Sequence, residues 1–215
     1  LNPERLTWCY RFGRERYFAG GAINNGGLAL AWLRGALYSE LPEDRGFEQL
    51  FGDAARAEPS ELICLPYFTG ERTPHWDAGL RASFFGLGEH HGRADLARAG
   101  LEGVAFSLAD VFGLLGPGAQ GVQLSGGVTR NPFWAQLLTD TLGVETEQNS
   151  VADASAIGAA LVAQIALGWH TFGSAAAAVA DEARPTLTPD AARHAWLSRK
   201  RARARRLLAA TRGLE

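Results

Sequence analysis

The sequence predicts an α/β domain in which a mixed sheet carries helices on both faces. Three observations predict it. Strand-like and helix-like segments alternate along the chain, short antiparallel strands open it, and two helices begin on paired glycines.

The 215 residues suffice for a sizeable core. A charged fraction of 20% and a hydrophobic fraction of 47% are ordinary for a globular chain, and a formal net charge of −2 argues against nucleic-acid or membrane-surface binding. Cys9 and Cys64 form neither a disulfide scaffold nor a metal-ligand spacing, which predicts a reducing, cytoplasmic setting. Pro3, Glu4 and Arg5 stand where a signal peptide would need its apolar core. The longest apolar run, Ala156 to Leu167, is broken by Gln164 and is too short to span a bilayer. There is no methionine, even at position 1, and the chain opens directly into strand-like sequence, so it reads as a piece of a longer protein.

Leu6 to Phe12 and Tyr17 to Ala22 read as two short strands joined by a turn around Gly13 and Arg14. They lead into GGAINNGG, Gly20 to Gly27, and a helix with Leu30, Leu33 and Leu37 on one face. Asn24 and Asn25 suit either a turn that satisfies local backbone groups or a ligand-facing position. A short helix is expected over Phe47 to Ala57 and a buried strand over Leu62 to Pro66.

Leu65 to Gly88 is rich in Gly, Pro and charge between aromatics, which marks a long ordered loop. Glu71 and Arg72 within it suit a local ion pair or an anchor for another domain. Asp95 to Leu115 is the most regular helical pattern, with Leu101, Val104, Ala105, Leu108, Val111, Phe112 and Leu115 on one stripe and Gly116-Pro117-Gly118 as its stop. His90 and His91 precede it, and adjacent histidines are expected to point apart, so no metal site is assigned.

The stretch from Leu124 to Gly143, LSGGVTRNPFWAQLLTDTLG, reads as a strand end, a glycine turn and a helix with both ends marked. Asn131 caps the helix, Pro132 suits the first helical position, and Gly143 supplies the left-handed closing residue. Gly126 and Gly127 let backbone N–H groups approach a ligand, and the helix dipole favours anions there. By itself the pattern also fits an ordinary strand-to-helix turn.

A strand over Val144 to Glu147 and a helix from Ala154 to Gly168 follow. The helix carries Ser155, Gly158, Ala159 and Ala160 early, small residues that suit tight packing against the sheet or a first turn past which a ligand phosphate or base runs, with packing the expected reason. The tail, His194 to Arg212, reads as a helix docked by Trp196, Leu197, Leu207 and Leu208 with its arginines facing water. No aromatics are interleaved among the basic residues for base stacking, so nucleic acid is not the expected partner.

Together, GGAINNGGLALAWLR, LPYFTGERTPHWDAGLRASFFGL and LSGGVTRNPFWAQLLTDTLG resemble, in order and spacing, the C-terminal domain of the FGGY carbohydrate kinases. The pattern continues through Ala82, Phe84, Gly86, Leu87, Asp95, Leu96, Ala99, Leu101 and Glu102. Gly100 departs from it, standing where the family prefers a larger or hydroxylated residue. The double asparagine before GG and the SGGVTRNPFW segment look most like the gluconate kinase branch, while GERTPH is similar to xylulokinases.

The resemblance implies an actin-like ATPase (ribonuclease H-like) fold over residues 1–215, serving as the nucleotide-binding domain of a cytoplasmic enzyme. It implies ATP and Mg²⁺ as cofactors and a sugar or sugar-acid substrate. By position, Gly126 and Gly127 correspond to a wall beside the nucleotide phosphates and ribose, Asn131 to a place near the adenine, and Gly26 and Gly27 to the opposite wall. Arg130 is a further candidate for stacking or a phosphate contact. Ala31 replaces a glutamine of glycerol kinases. The catalytic aspartate, the phosphate loop and most of the sugar site belong to an N-terminal domain outside this chain, so no catalytic or metal-binding residue is assigned here, and the isolated piece is expected to be inactive. A second reading, motivated by the aromatics of the Leu65–Gly88 loop, is a non-catalytic actin-like interaction module, such as a homodimer.

Overall fold

The computed structural model describes residues 6–12, 16–116, 121–149, 153–179 and 185–212. The predicted turn at Gly13 and Arg14 and the stop residues Pro117 and Gly118 lie outside them. The alternation of strands and helices is present, and the chain adopts the α/β architecture that the sequence predicts.

The long stripe from Asp95 to Leu115 becomes α3 (Arg93–Leu114), the axis of the core. Asp95 starts it by accepting the Gly92 N–H at 2.8 Å. Ala97, Leu101, Val104 and Ala105 are fully buried on it. Around α3 pack α1 (Gly27–Leu37), α2 (Glu43–Arg56), β3 (Ile63–Leu65) and α4 (Pro132–Leu142). Gly100 has a packing reason: a Cβ there would lie 2.3 Å from Leu33 Cδ1, so α1 fills the space that a larger residue would take. At Gly103 a Cβ would fall 2.4 Å from the Cys64 carbonyl oxygen, so glycine lets β3 approach α3.

The strands form three small sheets. β1 (Trp8–Phe12) and β2 (Arg16–Gly20) make an antiparallel hairpin, with Trp8 opposite Gly20. β3 pairs antiparallel with β4 (Ser83–Phe85). β5 (Val122–Leu124) runs parallel to β6 (Thr146–Gln148), and β6 pairs antiparallel with β7 (Thr186–Leu187), which gives a mixed sheet. The parallel step is made through α4, as a strand–helix–strand crossover requires. β6 begins two residues later than the expected Val144.

Two helices depart from expectation. α5 (Ala154–Ala166) buries none of its residues, so its small residues do not pack against a sheet among the described residues. Val162 and, just after the helix, Leu167 and Trp169 are exposed. An apolar composition all round predicts burial, but here that surface stays open. α6 (Phe172–Ala178) was not predicted; an alanine run hides any periodicity, although Thr171 and Ser174 cap its start reciprocally.

The tail forms α7 (Ala191–Thr211), docked by Leu197, Ala204 and Leu208. Lys200 is buried with them, its Nζ paired with Glu102 and donating to the Ser60 carbonyl oxygen. Glu102 also accepts from Arg98 Nε at 3.0 Å, so the buried carboxylate is held by two cations. Most of the arginines face water, as expected, and some of them also pair with the body. Arg203 pairs with Glu61, and Arg205 with Asp110.

Candidate functional site

Two helix entrances converge on one cavity. The first is the end of β5. Ser125 is still extended, Gly126 turns the chain at φ +76°, and Gly126–Arg130 form one 3₁₀ turn. A left-handed φ favours glycine at 126. Thr129 Oγ1 donates to the Gly126 carbonyl at 2.9 Å and tightens the turn. Asn131 then caps α4, its Oδ1 accepting the Trp134 N–H at 3.0 Å, with Pro132 at the first helical position. Gly143, at φ +70°, closes the helix as expected.

The second entrance is Gly26-Gly27 at the start of α1. Among the described residues no side chain caps it. The residues before it are held instead by the loop between β3 and β4. Ala22 and Thr73 exchange two hydrogen bonds, the Thr73 N–H donating to the Ala22 carbonyl at 3.2 Å and the Ala22 N–H to the Thr73 side-chain Oγ1 at 3.3 Å. Asn25 is fully buried, with Nδ2 donating to the Gly70 carbonyl at 2.6 Å and to Glu71 Oε2 at 3.2 Å. Both asparagines therefore serve the loop. Glu71 is buried too, and its Oε1 accepts the backbone N–H groups of Asn24 and Arg72. Arg72 makes no ion pair with its neighbour; its Nε donates to Asn24 Oδ1 at 2.8 Å.

Between these entrances lies a cavity of about 910 Å³. Gly26, Gly27, Gly127, Arg130 and Asn131 all line it, while Gly126, the turn residue, does not. A Cβ at Gly27 or Gly127 would meet nothing within 4 Å, so both present open backbone to the space. Leu30, Phe47, Phe51, Leu108, Trp134 and Leu138 supply an apolar surface, and Asp44 and Glu48 add carboxylates. Phe47 and Phe51 were not foreseen as lining. They stand one turn apart on α2, and an aromatic i, i+4 pair on an otherwise charged helix is the signal available in the sequence. Neither Ala31 nor Asp153, the residue before α5, lines the cavity.

Arranged this way, the cavity offers exposed backbone beside two helix starts, which suits an anion, and an apolar surface large enough for a flat organic group. Its volume is at the upper end for a small-molecule site.

Titratable groups with shifted pKa values lie elsewhere and are structural. Burial, then the hydrogen bond to Asp53, raises the Tyr38 phenol. Burial, then the charge of Asp110, raises Tyr67. Burial, then the charge of Arg212, lowers His75, which lies 3.2 Å from the Tyr67 hydroxyl. Burial pushes the Cys64 thiol up to about 12 and keeps it protonated. The rings of His90 and His91 lie 4.0 Å apart rather than pointing apart, and among the described residues no group of three or more His, Cys, Asp and Glu side chains is placed to hold a metal.

The aromatic loop folds inward. Tyr67 is buried, Phe68 stacks against Trp32 at 4.3 Å, and Phe84 and Phe85 lie in β4, leaving Trp76 as its exposed aromatic. Among the described residues no helix is long and apolar enough to cross a membrane.

The chain has relatives among known proteins. The chain is 34% identical over 160 residues to a xylulose kinase from Staphylococcus epidermidis, covering 72% of this chain and 32% of that protein. It is 33% identical over 174 residues to a gluconokinase from Bacillus subtilis, covering 75% and 34%. The chain thus spans about a third of the length of these curated relatives. The ligand-bound xylulose kinase from Lactobacillus acidophilus superposes with a TM-score of 0.87 at 26% identity, over 99% of this chain and 44% of that one, which carries the actin-like fold to this chain. The family model for the C-terminal domain of the FGGY carbohydrate kinases matches residues 8–167, from β1 to just past α5 and through both glycine entrances, and the chain belongs to that family.

Proposed function

We propose that this chain is the nucleotide-binding domain of an ATP-dependent sugar kinase, and that the cavity between α1 and α4 holds the nucleotide. The observation that carries the reading is the convergence of two glycine-opened helix starts, Gly26-Gly27 and Gly127–Asn131, on one cavity with an apolar surface. The residues present fit the group. Open backbone at Gly27 and Gly127 receives the phosphates and ribose, and Arg130 adds a cation beside them. Leu30, Phe47 and Phe51 take the base, with Asn131 offering the Nδ2 donor that its capping role leaves free.

ATP supplies the transferred phosphoryl group. Mg²⁺ accompanies it through the phosphates, as is usual for this ion, and no ligand from this chain is assigned to it. The general base and most of the sugar site belong to the remainder of the longer protein, and the open apolar surface of α5 is consistent with a covering segment there. The proposed substrate is gluconate, on the double asparagine before GG and the SGGVTRNPFW segment.

Assay of the full-length gene product against a panel of sugars and sugar acids tests the proposal. ATP-dependent phosphorylation of gluconate is expected. Turnover of xylulose alone would reassign the substrate, and no turnover of any sugar together with no ATP binding would remove the kinase reading. The isolated 215-residue chain should show no turnover on its own.

A further inference from the structure

The two entrances to the cavity are held by different means, and the difference points to positioning residues. Helix α4 is fixed from within by the Asn131 side chain. Helix α1 has no side-chain cap among the described residues, and its first residues, Gly26 and Gly27, carry no side chain to hold them. The backbone direction at this entrance must be set by what grips residues 22–25.

That grip is a buried polar latch. One carboxylate, Glu71, accepts from the Asn24 N–H, the Arg72 N–H and Asn25 Nδ2, while Asn25 also donates to the Gly70 carbonyl. Glu71 is 3% exposed and Asn25 is wholly buried, so the latch sits where water cannot substitute for a lost partner. The backbone on both sides is shaped to admit it. A Cβ at Gly21 would lie 2.5 Å from Thr73 Cγ2, and a Cβ at Gly70, whose φ is +67°, would lie 2.7 Å from the Ala78 backbone. A buried acid satisfied by amide donors from a segment 46 residues distant serves a specific geometry at α1 rather than a surface charge pattern.

We infer that Glu71 and Asn25 are positioning residues for nucleotide binding, which hold the start of α1 so that the backbone of Gly26 and Gly27 meets the phosphates. The inference rests on the nucleotide reading of the cavity and adds to it which side chains set the geometry of its second wall.

The test uses the full-length kinase and four variants: Glu71→Gln, Asn25→Asp, the two combined, and Arg72→Ala. In Glu71→Gln the new amide faces the Asn25 amide, donor against donor; in Asn25→Asp two carboxylates oppose each other. The combined change restores a carboxylate–amide pair in reverse while setting a carboxylate oxygen against the Gly70 carbonyl, so the recovery is partial. Each single variant should raise the KM for ATP tenfold or more while the sugar KM stays within twofold. The double variant should recover at least threefold of the loss. Arg72→Ala, at an exposed side chain, removes the Asn24 side-chain contact alone and should raise the ATP KM about threefold, which keeps the inference open to refutation if the buried variants do not fold.

Melting is recorded for every variant, with kinetics measured well below the transition. A purely structural role would lower the melting temperature, leave the ATP KM of the folded protein unchanged and show no recovery in the double variant; that result overturns the inference. If the unsubstituted kinase itself does not bind ATP, the nucleotide reading fails instead, and the two failures are distinct.

Discussion

Substituting Gly127 with valine separates ligand space from fold. Gly127 lies in the 3₁₀ turn after β5 and lines the cavity. A Cβ there meets no atom within 4 Å, and its backbone is not left-handed, so the folded protein should keep its stability within about 0.5 kcal/mol, as at an ordinary surface site. A nucleotide phosphate at the turn would lose its close approach to a backbone N–H. Losing one charge-assisted hydrogen bond costs about 1.5–3 kcal/mol, which weakens ATP binding roughly 10- to 150-fold. Titration calorimetry of the full-length protein with ATP, beside a thermal melt, reads both quantities. Gly126→Val is the contrast: at φ +76° it should also lose about 1–2 kcal/mol of stability through backbone strain. A folded Gly127→Val protein with ATP affinity within twofold of the unsubstituted protein would refute the placement of the nucleotide.

Lys200→Met leaves Glu102 buried with Arg98 as its remaining cation, so stability should fall by about 3 kcal/mol, the low end for a broken buried pair; a change under about 0.5 kcal/mol in urea titrations would show that the pair does not anchor α7. His75 has a folded pKa below the usual histidine value of about 6.5, so its contribution to stability is full above that value and is lost as pH falls through the folded pKa. His75→Gln should flatten that part of the acid decline between pH 7.5 and pH 5.5, and an unchanged slope of urea midpoint against pH would count against it. The ion pairs of Arg203 and Arg205 with the body predict that the chain does not bind DNA even at low salt; retention that weakens steeply with added salt would restore the basic tail as a nucleic-acid surface.

The parts of the fold that were legible in the sequence are those decided by local chemistry. The Asn131 cap, Pro132 and the left-handed Gly143 each act within one helical turn, and all three stand where the sequence puts them. The stripe of α3 was equally readable, because its period reports directly on burial. What failed was non-local. Glu71 reads as a loop charge until Asn24 and Asn25 are brought against it, and Lys200 is indistinguishable in a basic run until Glu102 of α3 lies beneath it. Composition misled at α5, where an apolar segment remains exposed, since composition states what a helix can bury and not whether a partner is present. Phe47 and Phe51 escaped for a related reason: the face of α2 that they occupy is defined by β5 and α4, more than 70 residues later in the chain.

The contrast between the two entrances carries a consequence for how the cavity responds to change. The α4 entrance is self-contained: its glycine turn, cap and first proline lie within eight residues, and perturbing a distant loop leaves them their own contacts. The α1 entrance borrows its geometry from residues 69–73, across about 45 positions of sequence, and those residues in turn sit between β3, which packs on α3, and its partner β4. Local opening of that loop would therefore loosen the Gly26-Gly27 wall while the Gly127–Asn131 wall keeps its shape, because segments with separate supports open separately. Hydrogen exchange distinguishes the cases: the Asn24 N–H should exchange together with the Arg72 N–H, both bound to Glu71, and independently of the Trp134 N–H at the α4 cap. Exchange of all three at one common rate would mean that the cavity opens as a single unit, and the α1 entrance would then have no separate control.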